Sequence, residues 1–208
     1  MDEKYPLTYW VDYPDRELSR LTTFFRIFTV IPIAIVLIFV SGASYSYDSG
    51  TATAGFATAG GILIGAPLLM ILFRKKYPRW WFDWNRELLR FTQRFHAYLV
   101  LFSDVYPSTD EQQYVHPEID YPNVEEDLGR GMPLVKWLLA IPHYIVLFFL
   151  YIAAFVCVVI AWFAILFTGR YPRSLFDFVM GVERWALRVL AYAGLLVTDR
   201  YPPFSLQE

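Results

Sequence analysis

Residues 134–168 form a nearly unbroken apolar run. As one helix the run would be roughly 50 Å long at 1.5 Å per residue, well beyond a hydrocarbon core of ~30 Å. Such a segment must either turn back on itself or tilt strongly. A tight hairpin turning near Leu150–Ala154, with short or kinked arms, is the reading favoured by the rest of the chain. One long tilted helix is the rival.

The preference comes from an internal repeat. The segment after the run, RYPRSLFDFVMGVERWALRVLAYAGLLVTDR from Arg170 to Arg200, recurs as KYPRWWFDWNRELLRFTQRFHAYLVLFSD from Lys76 to Asp104. Tyr77-Pro78-Arg79 aligns with Tyr171-Pro172-Arg173, Arg90 and Arg94 with Arg184 and Arg188, and Ala97-Tyr98 with Ala191-Tyr192. Both copies close on an Asp and a Tyr-Pro pair, at Asp104 and Asp199. The match extends upstream, where Val11-Asp12-Tyr13-Pro14 is echoed by Ile119-Asp120-Tyr121-Pro122 and Ile31-Pro32 by Ile141-Pro142. A chain that repeats itself is built from repeated units, so the halves should share an architecture.

The first half sets that architecture. Residues 1–23 are polar with embedded aromatics, broken by Tyr5-Pro6 and Tyr13-Pro14, with a short amphipathic helix expected from about Asp15 to Arg26. Residues 24–41 and 58–73 read as two membrane spans, joined by a small, polar, turn-forming stretch at 42–57. Pro32 should kink the first span rather than end it, and Gly61 and Gly65 in the second would let a neighbouring helix approach. Residues 80–102 alternate aromatic and arginine faces, too charged to span, and predict an amphipathic helix in the interface or packed under the bundle. The expected fold is therefore an all-α membrane protein of two tandem repeats, each a transmembrane helical hairpin followed by an interfacial amphipathic helix, four spans in all. The first repeat covers residues 24–106 (hairpin 24–73, amphipathic helix 80–102), and a polar linker covers 107–133. The second covers 134–208, with hairpin 134–168 and amphipathic helix 174–197.

Composition agrees with a bilayer setting. The chain has 208 residues, 56% of them hydrophobic and 19% aromatic, more apolar than an ordinary core requires. The formal net charge of −2 gives no footprint for nucleic acid. The single cysteine, Cys157, excludes an internal disulfide and leaves no Cys–His metal framework. With four spans, Arg74, Lys75, Lys76, Arg79, Arg170 and Arg173 share one side with both termini, and the acidic N-terminus lacks the basic region of a signal peptide. The expected arrangement is multi-pass, with both termini cytoplasmic.

The string LFTGRYPRSLFDF, with RW, RV, AY, GLL and DRYPPFSL at their spacings and IPHYIVLFFLYIAAF before it, resembles the prokaryotic membrane proteins of domain-of-unknown-function family 4389. The resemblance covers most of residues 114–206. The first half is a looser copy, with Ile33 for His143, Lys76 for Arg170 and Trp80-Trp81 for Ser174-Leu175. The resemblance implies a multi-pass protein of the prokaryotic plasma membrane and a domain extent, and carries no activity.

Several residues are candidates for a site. Asp83 with Arg90, and Asp177 with Arg184, are two helical turns apart and share a face that Arg94 and Arg188 extend. Paired guanidiniums can grip an anionic lipid headgroup, with Tyr98 and Tyr192 beside them. The structural alternative is carboxylates at helix starts and arginines snorkelling or pairing across repeats. His143, after Pro142 in the apolar run, is an intramembrane ionisable candidate, or a histidine bonded to a carbonyl freed by the proline. His96 and His116 lack partners at ligand spacing, so neither a metal nor another cofactor is expected, and no catalytic signature occurs. The functional expectation is a non-enzymatic accessory subunit or scaffold that binds a membrane-protein partner, or a copy of itself, and anionic lipid headgroups. The alternatives are a small transporter or channel using His143, and a lipid-modifying enzyme using Asp83/Asp177 or Asp104/Asp199.

Overall fold

The computed structural model describes residues 5–41, 46–48, 51–53 and 59–207. Strand β1 (Leu7–Val11) is followed by three short helices, α1 (Arg20–Phe24), α2 (Arg26–Thr29) and α3 (Ile31–Ser41). Strands β2 (Ser46–Asp48) and β3 (Thr51–Thr53) pair antiparallel ahead of α4 (Ala59–Arg74) and α5 (Arg79–Leu99). Strand β4 (Val115–Ile119) opens the second half, and α6 (Val124–Asp127), α7 (Met132–Leu139), α8 (Ile141–Thr168) and α9 (Arg173–Val189) complete it. A π-helical turn, Leu190–Gly194, extends α9.

The hairpin expected within 134–168 is not formed. Helix α8 runs unbroken for 28 residues straight through Leu150–Ala154. Nothing between Pro142 and Gly169 breaks it: Pro142 sits in its first turn, where its missing N–H costs nothing, and Gly169 ends it in the left-handed conformation at φ 75°. The first half also departs from two full spans. The chain breaks at Val30, just before Ile31-Pro32, because the proline takes the first turn of a new helix. Helices α3 and α4 have 11 and 16 residues, each short of the ~20 a span needs. Among the described residues only α8 is long and apolar enough to cross a membrane. The four-span arrangement is thus replaced by one long rod, α7–α8, and one interrupted rod, α1–α4. The expected turn at 42–57 lies mostly outside the described residues.

The polar ends of the two halves are not mere linker. β1 and β4 form an antiparallel pair, with Leu7 opposite Ile119, Tyr9 opposite Pro117 and Val11 opposite Val115. Since Val11 corresponds to Ile119, this register is its own mirror under exchange of the halves. An approximate twofold axis therefore passes between Tyr9 and Pro117. Several contacts obey it. Val30, Ile33 and Leu37 pack on Phe91, Phe95 and Tyr98. At constant offsets, Ala140, His143 and Leu147 meet Trp185, Val189 and Tyr192. The Tyr13 hydroxyl donates to Tyr171 O and the Tyr121 hydroxyl to Tyr77 O, both at 2.5 Å. Arg173 lies over the Tyr13 ring and Arg79 over the Tyr121 ring. Four of the Tyr-Pro tyrosines thus couple the halves.

The layers follow from these contacts. α1 packs on the C-terminal part of α8 and α7 on α4, so the two rods lie side by side and antiparallel. α5 and α9 each touch a rod and a strand and form the middle layer. α9 is buried along most of its length, including Phe176, Val179, Val182 and Leu187. It packs beneath α8 rather than lying at a surface. The outer face of the rods is bare: Phe39, Phe73, Phe155 and Phe167 are each at least 70% exposed.

One further difference between halves has a local cause. Tyr98 corresponds to Tyr192, but Leu101, at φ 71°, corresponds to Leu196, at φ 58°. The second half therefore carries one extra residue between the aligned tyrosine and the aligned leucine. The helix absorbs it as a π turn, in which Leu195 N–H donates to Leu190 O, and the following Tyr-Pro segment keeps its place.

Candidate functional site

The buried charges belong to the chain's own stitching. Arg26 and Lys136 occupy equivalent positions, 3% and 0% exposed. Arg26 donates to the carbonyls of Tyr98 and Ser103 and stands over the Tyr98 ring. Lys136 donates to Thr198 O at 2.8 Å, pairs with Asp199 at 2.6 Å and stands over the Tyr192 ring. Burial pulls the Lys136 ammonium below its usual range, and Asp199 opposes the shift. Asp104 accepts from Ser19 N–H and pairs with Arg16, while Asp199 accepts from Gly129 N–H. Each carboxylate fastens the chain where it enters a rod.

The arginines singled out from the repeat divide in the same way. Arg184 is buried and donates to Tyr9 O at 3.0 Å and Leu206 O at 3.2 Å. Arg188 donates to Ser205 O and Gln207 O, and Arg94 to Ser108 O at 2.6 Å. Arg90 pairs with Glu87 at the surface. Asp83 meets Arg86, and Asp177 meets Arg173, both exposed. The structure therefore does not bring Asp83 to Arg90 or Asp177 to Arg184: the side chains two turns apart point to different partners. Tyr98 and Tyr192 are buried beneath the two cations.

His143 is fully buried under α9. Its Nδ1 accepts from the Trp185 indole N–H at 3.0 Å, which leaves the ring proton on Nε2. The ring stacks on Phe204 at 4.0 Å, with Tyr201 at 4.8 Å. Among the described residues Nε2 has no hydrogen-bond partner. Ile33 takes this place in the other half, so the histidine is peculiar to the second.

A buried acid–imidazole pair was not evident in the sequence. Glu183 on α9 is 4% exposed, and its Oε2 lies 3.3 Å from His96 Nδ1 on α5. Burial raises the carboxyl from 4.5 to about 7 and lowers the imidazole. Both shifts favour the neutral pair, in which a protonated Glu183 can donate to Nδ1. Tyr9 and Tyr151 lie near the Glu183 carboxyl, and Tyr114 and the Arg184 guanidinium lie near Tyr9. The available signal was Glu183 itself, a charge on the apolar stripe of α9 where the first half has Leu89. Among the described residues no three metal-ligating side chains converge.

Residues 132–205 match a family described as Domain of unknown function (DUF4389). That stretch is a DUF4389 domain. It takes in α7, α8, α9 and the π turn, one rod with its supporting helix, and begins later than the resemblance at 114–206 suggested. The family match covers this copy alone. The DUF4389 domain thus holds His143, Glu183 and Lys136, while His96 comes from the preceding half. No curated protein and no solved structure matches the chain.

Proposed function

We propose that the protein is a non-catalytic membrane scaffold whose two rods lie in one leaflet, with the sheet and loops held at the water side. The carrying observation is the bare apolar face of the rods. Within the most apolar window of α8 only 17% of residues are buried, the opposite of a soluble core helix. Held upright, α8 alone would be roughly 42 Å long and would need a tilt of about 45° to fit a ~30 Å core, beyond the usual range. The rest of its layer, α1–α3 and α7, exposes apolar side chains as well. An in-plane layer has no length mismatch, and each inserted Phe or Leu contributes up to about 1.5–3 kcal/mol. The cationic ends at Arg74–Arg79 and Arg170–Arg173 favour the anionic cytoplasmic leaflet. The buried arginines and the carboxylates Asp104 and Asp199 serve backbone and ion-pair contacts, which supports a scaffold over a lipid-modifying enzyme. On this reading the polar layer carries a membrane-protein partner.

Nitroxide depth measurements test the placement. Spin labels at Phe148, Phe155 and Phe163 of α8, in a Cys157→Ala background, should report depths within about 5 Å of one another. A steeply inclined α8 would spread them over ~15 Å or more, from 1.5 Å rise per residue, and would refute the in-plane layer. Native mass spectrometry of complexes extracted gently from the host membrane tests the scaffold role: a defined heteromeric mass supports it, and a bare monomer counts against it.

A further inference from the structure

The twofold relation makes the places where the halves differ informative, and one such difference lies at the ends of the rods. At the end of α8, Gly169 is covered: Glu17 lies 3.3–3.5 Å from where a Cβ would stand, and Leu18 N–H donates to Gly169 O at 2.8 Å. The equivalent end of α4 is open. A cleft of about 540 Å³ lies there, lined by Arg74, Lys75, Lys76, Tyr121 and Asn123, with Met70 on its apolar side. The cause is legible in the chain. Between the Tyr-Pro pair and the aligned leucine, Leu18 or Leu128, the second half has two more residues, and the lengthened segment folds into the short helix α6. That turn stands off from Lys75, whose Nζ reaches Glu125 O at 2.7 Å.

The cleft gathers positive charge at the rim of the apolar layer. Lys75 stands where the other half has Gly169 and holds a left-handed backbone, φ 49°, that a lysine adopts only at a cost. Arg74 and Lys76 are exposed at the mouth, and Arg79 lies over the Tyr121 ring that forms one wall. Phe73, 74% exposed, begins the apolar face directly beside it. Cations on one side and an apolar wall on the other suit an amphiphile whose phosphate sits at the headgroup level.

We propose that the cleft at Arg74–Lys76 binds a phosphate-bearing ligand, the headgroup phosphate of an anionic lipid or a soluble glycerophosphate of the same chemistry. The lipid source rests on the in-plane placement above. The site is distinct from the arginines of α5 and α9.

The test compares three full-length forms: the native protein, Arg74→Gln/Lys76→Gln, and Arg170→Gln/Arg173→Gln as the covered counterpart. Sedimentation with phosphatidylcholine vesicles and with vesicles containing one-third phosphatidylglycerol gives each form an anionic preference. Generic attraction of about fivefold for each cation near an anionic surface should cost either double variant up to ~25-fold of that preference, and Arg74→Gln/Lys76→Gln should lose several-fold more than the counterpart. Loss of binding to the phosphatidylcholine vesicles would instead strike the in-plane layer. Calorimetric titration of sn-glycerol 1-phosphate into the protein in neutral detergent forms the second arm. Heat that disappears in Arg74→Gln/Lys76→Gln supports the site with a soluble source; no heat, with the vesicle preference intact, supports the lipid. Equal losses in the two double variants, or none in either arm, would overturn the site.

Discussion

Replacing Glu183 with glutamine should make the protein increasingly more stable than the native form as pH rises from 4.5 to above 7. The native carboxyl titrates near 7 rather than 4.5 because it is buried. Between those values the folded protein holds a proton that the unfolded chain has released. Stability from this group is therefore fully present below pH 4.5 and is lost as pH rises through 7. Holding the carboxyl at about 7 instead of 4.5 corresponds to roughly 3 kcal/mol. His96 works in the other direction, since its lowered value makes stability rise with pH up to 6.5. The difference between native and Glu183→Gln protein isolates the carboxyl, because glutamine can still donate to His96 Nδ1. Thermal unfolding in neutral detergent, followed by tryptophan fluorescence from pH 4.5 to 8, is the assay. For a chain of this size 1 kcal/mol moves Tm by about 2–4 °C. The Tm advantage of Glu183→Gln should therefore grow by roughly 6–12 °C across that range. A difference that stays constant with pH would refute the buried, neutral pair.

Other perturbations follow from the same contacts. Lys136→Met should cost about 2–3 kcal/mol, since it strands the partly buried Asp199 carboxylate, and Asp199→Asn should restore part of the loss in a double-mutant cycle. Tyr13→Phe and Tyr121→Phe each remove one hydroxyl-to-carbonyl bond between the halves. Each should cost about 1 kcal/mol in unfolding measurements, and a sum far from additive would argue against two separate links. Gly169→Ala should lower Tm by several degrees, because the site has φ 75° and Glu17 already stands 3.3 Å from the new methyl; an unchanged Tm would mean that the α8 end relaxes freely.

The apolar rods, the supporting helices at 80–102 and 174–197, and the offsets that align the halves were legible as period and polarity. The extra residue after Tyr192 came to notice only with the π turn that absorbs it. The hairpin expected in 134–168 came from carrying the interruption at 42–57 of the first half into the second. α3 and α4 together hold 11 and 16 residues, nearly the 28 of α8, so the first half is the interrupted copy. The strands were missed because five residues, one pair including Pro117, carry little periodic signal.

The sequence by itself determined that two stretches of the chain are alike, each an apolar segment followed by an amphipathic one, and that most charges lie outside the apolar segments. The tertiary structure decided how the halves meet. A repeat states that two segments are alike, yet it is silent on whether they run parallel or pair about a twofold axis, because both use the same local patterns. That choice placed β1 against β4 and Glu183 against His96, and left the α4 end open where the α8 end is closed. It also turned Arg184 and Arg188 inward, because chain ends folded over α9 present carbonyls that only a buried donor can satisfy.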